Sequence, residues 1–219
     1  MKKILITGAS RGIGKATAEK FLAEGWHVVG TSTTGNGWNH DQLDWITLDL
    51  SLPVSIERAA IEAAKHGPFD ALLNNSGINV EEEDVIDSPI IMSALRSTLE
   101  VNLIGTIDFC ERLLPNVCDG GHVISIGSRM GTLSETELSS APSYSISKAA
   151  LSMYTVRLAS RLKNRGITVS ILNPGWTKTD MGGEDAVRTP DEPAREIFEL
   201  ATAGEPSGKF WKQGKEQAW

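Results

Sequence analysis

The sequence has little of what several classes of protein require. Cys110 and Cys118 are its only cysteines in 219 residues, too few for a disulfide framework, so we expect two reduced thiols. Basic residues are also in the minority, since 21 Lys and Arg stand against 28 Asp and Glu, a formal net charge of −7. Nucleic-acid binding favours a basic surface, so no nucleic-acid partner is predicted.

Long apolar runs are missing as well. No stretch approaches the ~20 apolar residues of a membrane-spanning helix. The opening MKKILITGAS reaches a glycine after a short apolar run and lacks the longer apolar region of a signal peptide. These absences predict a cytoplasmic protein with no membrane partner.

The histidines give no sign of a metal centre in the sequence. His27, His40, His66 and His122 are scattered along the chain without the short spacings of metal ligands. No metal site is therefore predicted.

Short β-rich apolar runs alternate with longer helical patterns, which is typical of an α/β protein with helices on both faces of a parallel sheet. The predicted strands are Ile4–Thr7, Val28–Thr31, Trp45–Leu48, Ala71–Asn74, Val123–Ile126 and Thr168–Leu172, with Lys209–Trp211 as a weaker seventh. The predicted helices are Ile13–Ala23, Val54–Lys65, Ile90–Leu114, Tyr144–Lys163 and Glu192–Ala201. Residues 1–219 are predicted to form a single doubly wound Rossmann domain of about seven strands, and the acidic run Glu81–Asp84 a solvated loop.

A glycine-rich turn follows the first predicted strand. The stretch ILITGASRGIGK contains Gly8, Gly12 and Gly14. Glycine lets the backbone approach a phosphate, and the helix N-terminus beyond it offers N–H groups and a favourable dipole. The spacing differs from the common G-x-G-x-x-G, but a strand before and a helix after are the required context. The turn indicates a dinucleotide site, with a tight turn that binds no ligand as the alternative.

The end of the second predicted strand indicates which dinucleotide is bound. NAD sites place Asp or Glu there to bind the ribose 2′-hydroxyl. This chain has VVGTSTTGNG, with Thr31, Ser32 and Thr33 and no acid. Hydroxyls tolerate a 2′-phosphate that an acid would repel, and Arg11 in the glycine turn is a natural cation to pair with it. The prediction is NADP(H) over NAD(H).

A tyrosine and a lysine stand four positions apart in SYSISKAAL, which places Tyr144 and Lys148 on one face of a helix. Tyrosine is protonated at neutral pH and suits an acid, while a nearby cation favours its phenolate and lowers its pKa. The spacing alone does not distinguish a catalytic pair from an ordinary amphipathic helix.

Taken in order, the motifs resemble those of the short-chain dehydrogenase/reductase family over essentially the whole chain. Thr7–Gly14 matches the family's cofactor turn, Asp49-Leu50 its adenine-contact position, and Asn74–Gly77 its N-N-A-G motif with Ser76 in place of alanine. NPGWTKTDM matches the P-G motif, and the active-site set is matched by Asn102, Ser128, Tyr144 and Lys148. The tail is similar to the carbonyl-reductase-like branch of C-factor and sniffer proteins, and VVGTSTTGNG and IGSRMGT are similar to segments of NADPH-dependent 3-oxoacyl-acyl-carrier-protein reductases.

The resemblance implies a reductase of a small carbonyl substrate. Tyr144 would donate a proton, Ser128 would stabilise charge on the substrate oxygen, and Lys148 would bind the nicotinamide ribose and lower the pKa of Tyr144. Asn102 would hold a water that links Lys148 to solvent. The cofactor-binding residues implied are Gly8, Ser10, Arg11, Gly12, Ile13, Gly14, Thr31, Ser32, Thr33, Asp49, Leu50, Asn75, Gly77, Tyr144, Lys148, Pro174, Gly175, Thr177 and Thr179.

Two departures from the family pattern leave the substrate open among aldehydes, ketones and 3-oxoacyl groups. The substrate loop, about 176–207, is shorter than in many relatives, and the gap of 16 positions from Ser128 to Tyr144 is slightly longer. Trp176 is a candidate for lining the substrate pocket. Arg129 is predicted to be solvated, with contact to an anionic substrate as the alternative. Apolar residues on several faces of Tyr144–Lys163 predict a homo-oligomer, a dimer or tetramer, with a sheet-packed helix in a monomer as the alternative. A cofactor-sensing or signalling protein of the same fold is the alternative function.

Overall fold

The described part of the chain, residues 1–80, 89–134 and 141–219 of a computed structural model, is built on one eight-stranded sheet. The strand order is β3-β2-β1-β4-β5-β6-β7-β8, and every neighbouring pair is parallel except β7 with β8. The strands are β1 (Lys3–Ile6), β2 (His27–Ser32), β3 (Leu43–Thr47), β4 (Phe69–Asn74), β5 (Val117–Ile126), β6 (Thr168–Leu172), β7 (Lys209–Lys212) and β8 (Lys215–Gln217).

The predicted doubly wound architecture is confirmed, with one strand more than expected. All seven predicted strands overlap β1 to β7. The eighth, β8, is a short antiparallel edge strand of sequence Lys-Glu-Gln, so it lacks the apolar pattern on which strand prediction depends. The acidic run Glu81–Asp84 lies outside the described residues.

Six α-helices accompany the sheet in the described residues, and none is both long and apolar enough to cross a membrane. They are α1 (Gly12–Ala23), α2 (Pro53–His66), α3 (Met92–Leu99), α4 (Thr106–Leu113), α5 (Pro142–Leu162) and α6 (Asp191–Thr202). The single helix predicted over Ile90–Leu114 is instead α3 and α4 joined by a π-helical segment, Glu100–Gly105. A Cβ on Gly105 would lie 2.0 Å from the carbonyl oxygen of Leu50, so only glycine lets this segment approach the chain after β3 so closely.

The helices cover the sheet on both faces. On one face, apolar side chains of α2, α4 and α5 pack on the sheet, among them Ile56, Phe109 and Leu158. On the other face, α1 and α6 contribute Phe21 and Ile197 to a second cluster. Because these two apolar layers cover both faces of the sheet, the sheet is open to solvent at the strand ends, and polar side chains gather there.

The connections place the predicted site residues at one edge of the sheet. The chain leaves β1 for β2 on one side and later returns to β4 on the other side, so the strand order reverses beside β1. A crevice forms outside the carboxyl ends of parallel strands at such a reversal. The glycine turn follows β1, Asn75 follows β4, Ser128 follows β5 and Pro174 follows β6.

Candidate active site

The glycine turn has the close backbone packing that a phosphate-binding turn requires. Gly8 and Gly12 have φ of 68° and 55°, in the left-handed region that favours glycine. A Cβ on Gly14 would lie 2.1 Å from the Gly8 carbonyl oxygen, so no larger residue fits there. Helix α1 begins at Gly12, and its N-cap, Arg11, forms no side-chain hydrogen bond to the helix. The first-turn N–H groups, those of Gly12 and Ile13 included, therefore have no cap and suit an anionic ligand such as the pyrophosphate of a dinucleotide.

Asn75 fixes the glycine turn from the neighbouring strand. Its side-chain Nδ2 donates to the carbonyl oxygens of Thr7 at 2.8 Å and Gly8 at 3.2 Å. The backbone N–H groups of Asn75 and Ser76 donate to Oγ1 of Thr7, at 2.9 and 3.0 Å. The structure therefore places the predicted cofactor residue Asn75 beside the turn, where its amide supports the backbone that directly follows β1.

The hydroxyls predicted at the end of β2 fall into two groups. Thr31 is buried and its Oγ1 accepts a hydrogen bond from the Gly8 N–H at 3.2 Å. Ser32 is also buried, and its Oγ accepts from the backbone N–H of Asn36 at 3.1 Å and donates to the Asn36 carbonyl oxygen at 2.9 Å. Thr33 is exposed. Thr31 and Ser32 thus support the local backbone, and Thr33 is the member of the set that faces solvent.

The chain after β6 lies against the glycine turn. A Cβ on Gly12 would lie 3.1 Å from Cγ2 of Thr179. Arg11 forms an ion pair with Asp180, and their side chains are 79% and 73% exposed. The Arg11 guanidinium, which is predicted to pair with a 2′-phosphate, therefore lies at the surface of the site. It is paired there with the carboxylate of Asp180, from the segment that follows β6. Ser10 lies in the same turn and is partly buried.

A buried arginine that sequence inspection missed holds the P-G segment in place. Arg188 is 7% exposed and its Nη1 donates to the Pro174 carbonyl oxygen at 2.7 Å. Its charge is paired with Glu192 and Glu196 at the start of α6. A Cβ on Gly175, whose φ is 73°, would lie 2.8 Å from Cδ of Arg188. No motif marks this arginine, because its role depends on how the segment after β6 folds back onto Pro174.

Thr177 and the adenine-contact pair also have internal partners. Oγ1 of Thr177 donates to the Pro174 carbonyl oxygen at 3.3 Å.

One carboxylate oxygen of Asp49 accepts from the backbone N–H of Ser51 at 2.9 Å and from its hydroxyl at 2.6 Å, and Leu50 is buried. The structure places Asp49 and Leu50 after β3, and their contact with adenine stays a prediction.

Lys148 is a charged group inside the protein. It is 3% exposed, and its Nζ donates to the Ile126 carbonyl oxygen at 2.8 Å. Burial lowers its pKa to about 8, because desolvation disfavours the ammonium form. Nζ lies 5.4 Å from the centroid of the Tyr144 ring. A Cβ on Gly77 would lie 3.5 Å from Nζ, so this predicted cofactor residue lies beside the ammonium.

The Ser128 side chain lies close enough to Tyr144 to influence the pKa of its hydroxyl. Burial raises the pKa of Tyr144 to about 12, although the Ser128 side chain acts in the opposite direction. The expected lowering of this pKa by Lys148 is not observed, because desolvation of the phenolate outweighs other effects. Tyr144 therefore keeps its proton at neutral pH.

Gly131, which sequence inspection missed, allows the Ser128 turn to rest on α5. Ser128 Oγ accepts a hydrogen bond from the Met130 N–H at 3.2 Å at the start of a 3₁₀ turn that ends at Gly131. A Cβ on Gly131 would lie 2.7 Å from Cβ of Lys148 and 2.7 Å from the backbone nitrogen of Ala149. The signal was present as the glycine of IGSRMGT, three positions after Ser128.

Asn102 joins three segments of the site. It is buried in the π-helical segment, and its Oδ1 accepts from the Ile78 N–H at 2.7 Å. Its Nδ2 donates to the Ile78 carbonyl oxygen at 2.8 Å and to Oγ of Ser147 at 3.1 Å. Ser147 in turn donates to the Tyr144 carbonyl oxygen at 2.7 Å. The side chain thus braces α5 against the chain after β4, and its predicted link to a water stays a prediction.

Two further residues singled out from sequence lie at the surface. Trp176 is exposed, and its indole Nε1 donates to the Gly182 carbonyl oxygen at 2.7 Å. Arg129 is exposed, in line with the prediction that it is solvated. The loop between Ser128 and Tyr144 is described only in part, since residues 135–140 lie outside the described chain.

The described geometry supports proton donation next to a dinucleotide. A protonated phenol, a neighbouring serine hydroxyl and a buried ammonium lie within one cluster, and the uncapped N-terminus of α1 lies at the same end of the sheet. Such a set can deliver a proton to a substrate oxygen and stabilise charge on it.

Comparison with known proteins shows which family and which named proteins this chain is similar to. The family model for the short chain dehydrogenase matches residues 2–188. The chain is 33% identical over 189 residues to the 3-oxoacyl-acyl-carrier-protein reductase FabG of Salmonella typhimurium, covering 82% of this chain and 75% of that protein. It is 31% identical over 163 residues to C-signal of Myxococcus xanthus, covering 70% and 94%. Its structure is similar to that of an NADPH-bound carbonyl reductase from chicken fatty liver, with a TM-score of 0.88, 27% identity and coverage of 100% and 94%.

Proposed function

Because this chain belongs to the short-chain dehydrogenase family, we propose that it is an NADP(H)-dependent oxidoreductase that reduces the carbonyl group of a small molecule to an alcohol. The observation that supports this most directly is the cluster of Tyr144, Ser128 and Lys148. The phenol keeps its proton at neutral pH, lies beside Ser128 and is one helical turn from a buried lysine. Similarity to two named reductases points the same way.

Reduction requires one hydride on the carbonyl carbon and one proton on the oxygen. NADPH, when bound, supplies the hydride. The Tyr144 hydroxyl donates the proton to the developing alkoxide, and the Ser128 hydroxyl donates a hydrogen bond to the same oxygen. Tyr144 is then a phenolate, which the Lys148 ammonium stabilises until a proton from solvent restores the phenol. The resting pKa of about 12 for Tyr144 suits the reductive direction, since the acid form is already present.

The cofactor would be held by groups that the geometry leaves for it. The glycine turn and the uncapped start of α1 suit the pyrophosphate, and the second and third N–H bonds of Lys148 suit the nicotinamide ribose hydroxyls. Arg11 and Thr33 suit the 2′-phosphate, since both are exposed and none of residues 33–40 after β2 carries a carboxylate. These residues support NADP(H) over NAD(H), as does a similar carbonyl reductase bound to NADPH.

Apolar side chains on the loops beside the site bear on the substrate. Leu133, Trp176 and Met181 are exposed on the segments that follow β5 and β6. Exposed apolar groups near a site favour a ligand with apolar surface. We expect a carbonyl compound with an apolar substituent, and the similarity to FabG makes a 3-oxoacyl thioester a specific candidate within this class.

Oxidation of NADPH with a panel of aldehydes, ketones and 3-oxoacyl thioesters tests the proposed reaction. We expect turnover with at least one class and none without substrate. NADPH binding with no turnover on any member of the panel would instead support the second candidate, a cofactor-sensing or signalling protein. Similarity to C-signal over 94% of that protein favours this alternative.

Assembly into a homo-oligomer is a further part of the proposal. Ile104, Ile146 and Met153 are exposed apolar residues on the π-helical segment and on α5. Burial of these side chains against a second copy would remove apolar surface from water. Light scattering coupled to size exclusion should give the mass of a dimer or tetramer, and a monomer mass at micromolar concentration would contradict this prediction.

A further inference from the structure

Two histidines and an aspartate meet at the edge of the sheet opposite the active site. His27 Nε2 lies 2.7 Å from Oδ2 of Asp44, and His66 Nδ1 lies 3.1 Å from the same oxygen. The three ligand atoms all lie within 4.8 Å of one another. Within the described residues this is a group of metal-ligating side chains close enough to share an ion, although the sequence spacing predicted none.

The fold explains why residues so far apart in sequence converge. Val29 of β2 is the register partner of Asp44 of β3, and His27 precedes Val29 by two positions, so His27 and Asp44 lie on the same face of the sheet. Val29 belongs to the apolar cluster that α2 covers, and His66 is the last residue of α2. Three regular elements therefore present one ligand each, and their backbones fix the ligand positions.

We propose that His27, Asp44 and His66 form a binding site for a divalent transition-metal ion, with Zn²⁺ as the best match. Two imidazole nitrogens and one carboxylate oxygen are a ligand set that Zn²⁺ accepts, with water in the fourth position. Metal–ligand bonds of about 2.0–2.2 Å place neighbouring ligand atoms roughly 3.3 Å apart. Both observed separations are shorter than that, so an ion enters by small outward movements of the side chains.

Exposure and charge at the cluster are compatible with an ion from solvent. The side chains of His27, Asp44 and His66 are 19%, 43% and 27% exposed, so they are reachable yet held by the fold. The carboxyl end of α2 carries the negative end of the helix dipole, which favours a cation. Lys3 opposes the binding of a cation, because its Nζ donates to the His66 carbonyl oxygen at 2.7 Å and brings a positive charge to the same helix end.

Metal binding changes the protons at the cluster in a defined way. A carboxylate oxygen only accepts hydrogen bonds, so without metal each facing ring nitrogen donates to Asp44. An ion needs the lone pairs of both nitrogens, so each ring moves that proton to its other nitrogen or releases it to solvent. The metal then replaces two hydrogen bonds with three coordinate bonds that join β2, β3 and α2.

The site is independent of the proposed reduction. His27 begins β2 and Ser32 ends it, five residues or about 17 Å further along the strand. An ion at His27 therefore touches neither the cofactor turn nor Tyr144. Its effect is to stabilise the folded state, because a ligand that binds only the native form raises the unfolding temperature.

Calorimetric titration of tag-free, chelator-treated protein with Zn²⁺ tests the site. We expect one ion per chain, with affinity at least tenfold weaker in His27→Gln and in His66→Gln. His40→Gln is the matched control, since His40 is an exposed histidine outside the cluster, and its affinity should equal that of the wild type. Lys3→Met should bind Zn²⁺ more tightly, and Zn²⁺ at about 100 times its Kd should raise the Tm by roughly 5–10 °C.

A measurement on the wild-type protein decides the matter even if the histidine variants fail to fold. Imidazole ¹⁵N resonances report each of the four rings separately, and Zn²⁺ should shift those of His27 and His66 while leaving those of His40 and His122 in place. The proposal is overturned by the absence of Zn²⁺ binding, by binding that both glutamine variants retain, or by shifts confined to other rings.

Discussion

The two halves of the proposed active site hold charge in opposite ways. In the catalytic half, Lys148 is 3% exposed and its ammonium bonds to a backbone carbonyl. In the glycine-turn half, Arg11 and Asp180 are 79% and 73% exposed and pair with each other in solvent. A buried charge is screened little and responds strongly to its neighbours, whereas an exposed pair is weakened by water and salt. Substitutions in the catalytic half should therefore change turnover and its pH dependence, and those in the other half should change cofactor affinity by small, salt-dependent factors.

The largest effect should follow from Tyr144→Phe, which removes the proton donor and leaves the ring in place. We expect kcat to fall by about 10²–10⁴-fold, the usual worth of general acid catalysis, while the Kd for NADPH changes by less than about twofold. Stopped-flow reduction and fluorescence titration measure the two quantities. Tyr154→Phe is the matched control, since Tyr154 is the other tyrosine of the chain and donates to Glu111 away from the site. Near-normal turnover in Tyr144→Phe would remove the proton-donor role and the proposed mechanism.

A smaller loss should follow from Gly131→Ala, which tests whether the catalytic half depends on close packing. The added methyl would lie 2.7 Å from Cβ of Lys148 and from the Ala149 nitrogen, atoms close to the helix backbone that cannot move aside easily. The Ser128 turn should shift away from α5, and kcat should fall by about 10–100-fold, since misplacement by ~1 Å can cost that much. Unchanged kcat with an unchanged Kd for NADPH would show that the turn tolerates the methyl group.

The pH dependence of reduction should report the buried lysine. Because the pKa of Lys148 is lowered to about 8, its ammonium disappears above that pH and no longer stabilises the Tyr144 phenolate. We expect kcat to be level below about pH 7 and to fall by up to about tenfold per unit above pH 8. In Lys148→Met the overall rate should be low and this slope absent. A wild-type rate that stays level to pH 10 would contradict the role of the ammonium.

The same lysine has a consequence for stability. In the unfolded chain its pKa is near the ordinary 10.5, whereas in the folded protein it is about 8. Between these values the unfolded state binds more protons, so the contribution of Lys148 to the unfolding free energy rises with pH from about 8 to 10.5. Denaturant titrations across this range should show that the difference in unfolding free energy between wild type and Lys148→Met changes in favour of the wild type as pH rises.

The sequence predicts the fold and the identity of the reacting groups better than it predicts what surrounds them. The strands β1 to β7, the glycine turn and the Tyr144–Lys148 pair follow from apolar periodicity, helix spacing and residue chemistry, which are local properties. Gly131, Arg188 and the π-helical segment Glu100–Gly105 were missed, because their roles depend on tertiary contacts that no local sequence pattern encodes.

The pKa of Tyr144 and the exposure of the hydroxyls at the end of β2 could not be predicted from the sequence either. The expected lowering of the Tyr144 pKa used the charge of Lys148 alone, but desolvation depends on how many atoms the fold packs around the phenol. Likewise, Thr31 and Ser32 are hydroxyls in the right place for a phosphate, yet the folded chain uses both for its own backbone. Residue type predicts which chemistry is available, and tertiary packing decides how much of it faces a ligand.

The smallest effect should come from the exposed pair, through Asp180→Asn. The amide keeps the shape of the side chain but releases Arg11, whose guanidinium is then available to a 2′-phosphate. Exposed ion pairs are weak, so the Kd for NADPH should fall by only about two- to fivefold at low ionic strength, and the gain should fade at ~0.5 M salt as the charges are screened. NADH has no 2′-phosphate and is the matched ligand, so its Kd should not change. Equal tightening of NADH and NADPH would mean that Asp180 acts on the cofactor as a whole, and that Arg11 does not select the phosphate.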